Sequence, residues 1–352
     1  MKQSTRFSNR KQTGLTLVEL LVAMAIQFIL LAAMVYVYTS SRVMFTVSEQ
    51  LSRVQENGRY ATDTLLYDIR MAGFTGCRSI KEITPNIIAN SPPVFAGLGD
   101  SLVVYEDGDG WTNPTTLNRV AGSDVITLQS TRGSGVSLVG NMAVDTAQLQ
   151  INSNPDGLES NDLILISDCS NADLFRATTV AKSASQVNIT HAMSTNTDNR
   201  LSKLYQDGAQ ILSFDAHTYF IATGANGEPG LYQYSLSSAT ATLLAEGIES
   251  MQLLLAEDTN GDQEPDIYVS ASLPKAAVVA DPGAGIPASD AVIGTDWEAI
   301  IGIRVGLLLR SEIGVASEPR SYSFNGAEAN SGNDTRVRKA FWSYAAMRNK
   351  IN

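Results

Sequence analysis

The sequence has only two histidines and two cysteines among its 352 residues. No His/Cys pattern at metal-ligand spacing is therefore present, and neither a Gly-x-Ser-x-Gly elbow nor a P-loop occurs. Asp215 stands near His217, but a Ser/His/Asp relay would need a serine that no spacing selects. His191 is isolated. Both histidines read as satisfied core or surface residues, and the chain reads as a non-enzyme. Proline is missing from Met1 to Thr84, so nothing in that stretch forces a break in a long helix. No acid precedes Glu19, and no repeat of 20–50 residues is found.

What is present is concentrated at the front. Leu15 to Tyr38 is an apolar run of 24 residues with one carboxylate, Glu19. As a helix it reaches roughly 36 Å, enough to span a bilayer. Lys2, Arg6, Arg10 and Lys11 precede it, which keeps the amino terminus cytoplasmic and sends the remainder outward. A carboxylate within such a helix costs about 2.5–3.5 kcal/mol on insertion scales and requires a partner. Ala23-Met24-Ala25 has the small-x-small form of an ordinary signal peptidase site, but cutting there would leave Ile26–Tyr38 as an apolar stub.

Lys11-Gln12-Thr13-Gly14-Leu15-Thr16-Leu17-Val18-Glu19 resembles the class III signal of type IV pilins and pseudopilins. That resemblance implies cleavage between Gly14 and Leu15 by a prepilin peptidase and methylation of the new amine on Leu15. It also implies a role for Glu19 in assembly, through pairing with the amine of a neighbouring subunit. Leu15 departs from the phenylalanine usual in that family. Further on, Gly247-Ile248-Glu249-Ser250-Met251-Gln252, the turn from Asp258 to Asp266, Tyr268-Val269, Ile303 to Ser311, and the tail near Phe341 and Met347-Arg348-Asn349 resemble PilW-type minor pilins. The implied role is to initiate pilus assembly in a tip or priming complex, supporting twitching motility, adhesion or DNA uptake. Implied partners are other minor pilins, the major pilin, the prepilin peptidase, the inner-membrane assembly platform and a tip adhesin. The implied location is the inner membrane, single-pass, then the periplasm and the extracellular pilus. Two alternatives share the anchor: a J-type pseudopilin of type II secretion, and a membrane-tethered periplasmic binding protein or hydrolase.

The expected fold is α+β: a long N-terminal helix packed on an antiparallel sheet with large loop insertions. Residues 1–14 are leader, 15–38 the transmembrane or fibre-core half of the helix, and 39–73 its amphipathic half. Residues 74–352 form a β-rich head, either one unit or two sub-domains of about 74–240 and 241–352. Met44, Val47, Leu51, Val54, Gly58, Ala61, Leu65 and Ile69 recur at helical spacing and form the buried stripe. Gly58 in its middle costs about 1 kcal/mol relative to alanine. Ile80 to Asp100 is an irregular link. Short β-type runs begin at Leu102 and include Leu163–Ile166. The clearest alternation puts Ile301, Ile303, Val305, Leu307 and Leu309 on a core face. Arg304 and Arg310 then lie outward, as a solvated strand face or a contact for an acidic partner. Residues 131–160 read as loops and edge strands, Asn325 to Asp334 as a loop, and Arg336 to Lys350 as a last strand or a short helix.

Net charge is −11, and removing the leader's four cations takes it to about −15. An acidic head argues against direct nucleic-acid binding. In an oxidising compartment Cys77 and Cys169 read as one disulfide, closing a long loop worth roughly 4–5 kcal/mol by chain entropy. Asp258, Asn260, Asp262 and Asp266 place oxygens around Gly261, a pattern suited to Ca²⁺, the one candidate cofactor. It departs from an EF-hand loop, and a plain polar hairpin turn is the alternative. Glu106-Asp107-Gly108-Asp109-Gly110 reads as a turn.

Overall fold

The computed structural model describes residues 16–76, 83–90, 102–183, 185–271, 299–316, 318–347 and 349. Gly14, Leu15, Cys77 and the whole leader lie outside these residues.

A single helix, α1, runs from Leu17 to Met71, 55 residues or roughly 83 Å. With no proline to interrupt it, the helix continues from its apolar half into its amphipathic half. Its C-terminal carbonyls are met by the tail: Asn349 Nδ2 donates to Ala72 O (3.0 Å) and Arg70 O (3.3 Å).

Eighteen strands are formed among the described residues. In chain order they are β1 (Asn86–Ile87), β2 (Leu102–Tyr105), β3 (Asn118–Arg119), β4 (Val125–Ser137), β5 (Leu149–Ile151), β6 (Leu163–Ser167), β7 (Ala172–Arg176), β8 (Thr179–Ser183), β9 (Gln186–Thr190), β10 (Gln210–Thr223), β11 (Pro229–Ser235), β12 (Thr240–Glu246), β13 (Ile248–Glu257), β14 (Ile267–Ser270), β15 (Ile300–Arg310), β16 (Ser321–Phe324), β17 (Ala327–Asn330) and β18 (Arg338–Ala346). Nine form one sheet ordered β1-β7-β6-β10-β11-β12, with β4 and β3 also on β10 and β2 on β4. Its pairings are antiparallel except β1 with β7. A second, antiparallel sheet is ordered β14-β13-β15-β18. A three-stranded sheet β5-β9-β8 and a β16–β17 hairpin complete the set. The architecture is α+β, as the sequence predicts.

The two large sheets meet at Gly247. Its N–H donates to Pro229 O (2.8 Å) and its carbonyl accepts from Arg310 N (2.8 Å). Its φ is +79°, and a Cβ there would lie 2.8 Å from Arg310 O, so glycine is required where the chain changes sheet. Position 240/241 lies at the start of β12, whose residues pair with β11.

Two main cores result. The proximal one unites Val54, Ala61, Leu65 and Ile69 of α1 with Ile126, Tyr219 and Leu231 of the large sheet. Met251, Leu255, Ile303, Val305 and Leu307 of the four-stranded sheet complete it. The distal one packs Leu149, Ile151, Val187 and Ile189 of the three-stranded sheet on Ile164, Ile166, Phe175 and Ile211.

Several sequence expectations are corrected. Met44 is exposed and Val47 and Leu51 only half-buried, while Gln50 is buried in their place; the head's cover begins about one turn later than the apolar pattern. Segment 131–160 holds the end of β4, to Ser137, and the edge strand β5 with loops between and after them, as expected. The 325–334 segment contributes to the β16–β17 hairpin, whereas 336–350 holds a last strand, β18, one of its two expected forms.

Candidate assembly interface on the N-terminal helix

Thr16 caps α1: its Oγ1 accepts a hydrogen bond from Glu19 N (3.2 Å), with Thr16 in extended backbone. The spacing is that of a Thr-x-x-Glu capping motif, and it seats Glu19 in the first turn, where helix-dipole charge favours a carboxylate. From Leu17 to Ser41 Glu19 is the only residue that is charged at neutral pH. The flanking side chains are uncovered, Leu17, Phe28, Ile29, Met34 and Tyr36 among them, each more than three-fifths exposed. The helix is long and apolar enough to cross a membrane, and that part of it is not buried by the head. A helix apolar all round is stable in lipid or within a bundle of like helices. In either setting Glu19 needs a cationic or hydrogen-bonding partner.

The other half of α1 is gripped by the head. Gln50 Oε1 accepts from Glu312 N (3.1 Å) where the helix enters. At Gly58 a Cβ would fall 2.6 Å from the Phe341 ring of β18, so the weak helix former is there to admit an aromatic ring. Near the end, Asp68 is buried. Its carboxylate accepts from Arg132 Nη2 of β4 (2.6 Å) and from the Tyr219 hydroxyl of β10. Burial, then the neighbouring carboxylate, pushes the Tyr219 phenol up. The sequence signal for this network was an acid adjacent to the apolar stripe, one residue before Ile69.

The remaining sequence-predicted residues lie elsewhere. Cys169 follows β6 in a left-handed backbone conformation, φ +67°, and no described cysteine is free. In the 258–266 loop the candidate oxygens serve the loop itself. Asp258 accepts from Gly261 N (2.6 Å), Gln263 N (2.8 Å) and Asn260 N (3.2 Å). Asp262 accepts from Glu264 N (2.8 Å), and Asn260 Oδ1 from Asp262 N (2.8 Å). Asp266 accepts from Thr259 N (2.8 Å) and Asn260 Nδ2 (3.1 Å). Among the described residues no three His, Cys, Asp or Glu side chains gather at metal-holding distance.

His217 and Asp215 are neighbours, Nε2 to Oδ2 3.3 Å, but Ser235 Oγ donates to Asp215 (2.8 Å) rather than to the imidazole. Burial lowers the His217 pKa. His191 Nε2 lies 3.0 Å from Ala147 O. Arg310 is not on a solvated face: it is 15% exposed and ion-paired to Glu228 (2.8 Å) and Glu249 (3.0 Å). Arg338 also binds Glu249 (2.7 Å), and Arg336 binds Glu228 (3.0 Å). This lattice ties the start of β11 to β13, β15 and β18. Arg304 lies between the Tyr268 and Trp342 rings, 5.4 and 5.1 Å from their centroids.

A solitary acid near the front of an uncovered apolar helix, continued as the spine of a β-rich head, is the arrangement that the pilin-like signal in the sequence implies. Residues 9–35 match the prokaryotic N-terminal methylation motif, which spans Gly14, Leu15 and Glu19. Residues 218–349 match the family model of the type IV pilus-assembly protein W, PilW. The resemblance to PilW-type pilins read from the sequence is thereby shown. No curated protein and no solved structure matches the chain. The two matches support a minor pilin that takes part in type IV pilus assembly, a structural rather than catalytic role. They also fit anchoring in the inner membrane by the N-terminal helix.

Proposed function

We propose that this subunit initiates type IV pilus assembly within a tip or priming complex of minor pilins, beneath which the major pilin is added. The observation that carries the reading is the solitary Glu19 on an uncovered apolar helix, within a segment matching the methylation motif. Cleavage between Gly14 and Leu15 frees an amine, which is methylated. Glu19 of one subunit pairs with that amine on its neighbour, and a matched pair in a low-dielectric bundle selects one register over others. The pairing rewards the insertion of a subunit only when the acid and the amine meet. The partners are the other minor pilins, the major pilin, the prepilin peptidase, the assembly platform and a tip adhesin. Twitching, adhesion and DNA uptake follow from having a fibre at all.

The test replaces Glu19 with alanine. The variant remains in the membrane fraction, because removing a charge only favours insertion, and it disappears from sheared pili. Incorporation at the unmutated level would overturn the role. Deleting the gene and comparing piliation with exoprotein release separates the pilus from type II secretion. N-terminal mass spectrometry of the mature chain should find methylated Leu15.

A further inference from the structure

The large sheet ends in a bare strand. β12 is its last member, and the outer edge of β12 has no partner among the described residues. Alternate residues therefore turn their N–H and C=O groups outward. The other described edge strands are short or charged. β1, β2, β3, β5, β14, β16 and β17 have two to four residues. β8 carries Lys182, and β18 carries Arg338 and Lys339. Shortness and cations are what keep an edge from pairing with another chain. β12 has seven residues, and Thr240 to Ala245 hold neither a charge nor a proline. Thr240 to Leu243 stay in unbroken register with β11, the bulge falling at Leu244, and all four are exposed.

The helix lies along this edge. Asn57 Nδ2 donates to Glu246 O (3.1 Å), and Gln233, paired with Thr242, directs Nε2 to Asp68 Oδ2 (3.5 Å). β12 thus runs opposite to α1 and ends nearest the apolar half of the helix. Tyr60, Thr64 and Tyr67 follow Asn57 at three- and four-residue spacing, so they share its flank; Tyr60 is 53% and Tyr67 62% exposed. At the Glu246 end a cavity of about 410 Å³ opens between α1 and Gly247, with Glu56, Glu228, Glu246 and Glu312 against Arg53 and Arg310. Arg310 is paired with Glu228, and Arg53 lies 3.7 Å from Glu312. Glu246 Oε1 accepts from Asn226 Nδ2 (3.3 Å), but no described cation pairs with Glu246 or Glu56.

We propose that β12 receives a strand from the head of a neighbouring pilin of a different kind, which extends the large sheet, passes beside Tyr60 and Tyr67, and delivers a lysine or arginine to Glu56 and Glu246. Such docking rests on the assembly proposed above, in which subunits stand with their helices parallel. The incoming strand runs with α1 and so pairs antiparallel to β12. Main-chain hydrogen bonds give the affinity, and the acidic end gives the choice of partner. Two copies of this chain do not meet these terms through β12 alone. Antiparallel pairing of β12 with β12 would reverse one helix, and parallel pairing would set Glu246 against Glu246.

The test places a photoreactive benzophenone side chain at Ala241 of the full chain, in cells that assemble the pilus, and maps the adducts in sheared pili by mass spectrometry. Ala241 lies beside Thr242 on the face turned away from α1, so the probe is not quenched by the helix. It should link to a strand in the head of another pilin, whereas the same probe at Lys182, on the edge of β8, should not. Thr240→Lys should cut the adduct several-fold by guarding the edge. Glu56→Lys with Glu246→Lys should do so by repelling the incoming cation, and each variant should keep the denaturation midpoint of the unmutated chain. Absence of the subunit from sheared pili would overturn the assembly and the docking together. A subunit present in pili that gives no adduct at Ala241, that links there to a second copy of itself, or whose adduct neither variant diminishes, would overturn the docking alone.

Discussion

The two halves of α1 have the same backbone and opposite surroundings. Leu17 to Tyr38 presents almost only apolar side chains and is left uncovered by the described residues of the head, whereas Val54, Ala61, Leu65 and Ile69 are buried. In the first half one charge stands out against a uniform surface; in the second, packing is specific residue by residue. The difference separates two kinds of requirement. On the proposed function, the first half should tolerate exchange among apolar residues but not loss of its acid. A head half tolerates changes on its outer flank but not in its stripe.

The largest effect expected is in the first half. Glu19→Ala should remove the subunit from pili almost completely while leaving the melting temperature of the head unchanged. A fall in melting temperature would show that the two halves are not independent. Next comes the link that anchors the end of the second half. We propose the Cys77–Cys169 disulfide, which would join the segment after α1 to the turn after β6. Its reduction should cost about 4–5 kcal/mol by chain entropy, read as a lower denaturation midpoint in reductant. Labelling of both thiols without reductant would refute the bridge.

Leu65→Ala should follow, costing about 3 kcal/mol in chemical denaturation, because Leu65 is fully buried and cannot be replaced by repacking. Val22→Ala, in the exposed half, should leave head stability as it was. Gly58→Ala sharpens the contrast further. On an isolated helix it would gain up to about 1 kcal/mol; here the Phe341 ring opposes it, and we expect a net loss of about 1–2 kcal/mol. Combining it with Phe341→Ala in a double-mutant cycle should recover most of the clash. The smallest effect concerns the 258–266 loop, which we propose as a calcium site. Millimolar Ca²⁺ should raise the melting temperature by a few degrees, the stabilisation expected of a ligand that binds only the folded state. Asp258→Ala with Asp262→Ala should remove that shift. No shift in the unmutated protein would leave the loop a hydrogen-bonded turn.

How far the molecule was legible in its sequence depended on the range of the interactions. α1 was readable from end to end, since periodicity and the missing prolines are local facts, and its observed end at Met71 lies close to the expected boundary at 73. β15 was readable because Ile303, Val305, Leu307 and Leu309 alternate along the chain with Arg304, Gly306 and Arg310, although the fold buries both faces of the strand. β7, β8 and β12 were missed: β7 is buried on nearly every residue and β8 and β12 are largely exposed, so none alternates. Arg310 was misjudged because alternation places it outward, and only the fold brings Glu228 and Glu249 to it.

By itself the sequence determined the apolar half of α1, the position of the solitary acid and the continuous helix, because each depends on residues adjacent along the chain. Only the tertiary structure decided where the head begins to cover α1, why a glycine stands at position 58, and which carboxyls pair with Arg310 at the joint between sheets. Those outcomes depend on contacts between distant segments, and their energies exist only once the chain has closed around its core.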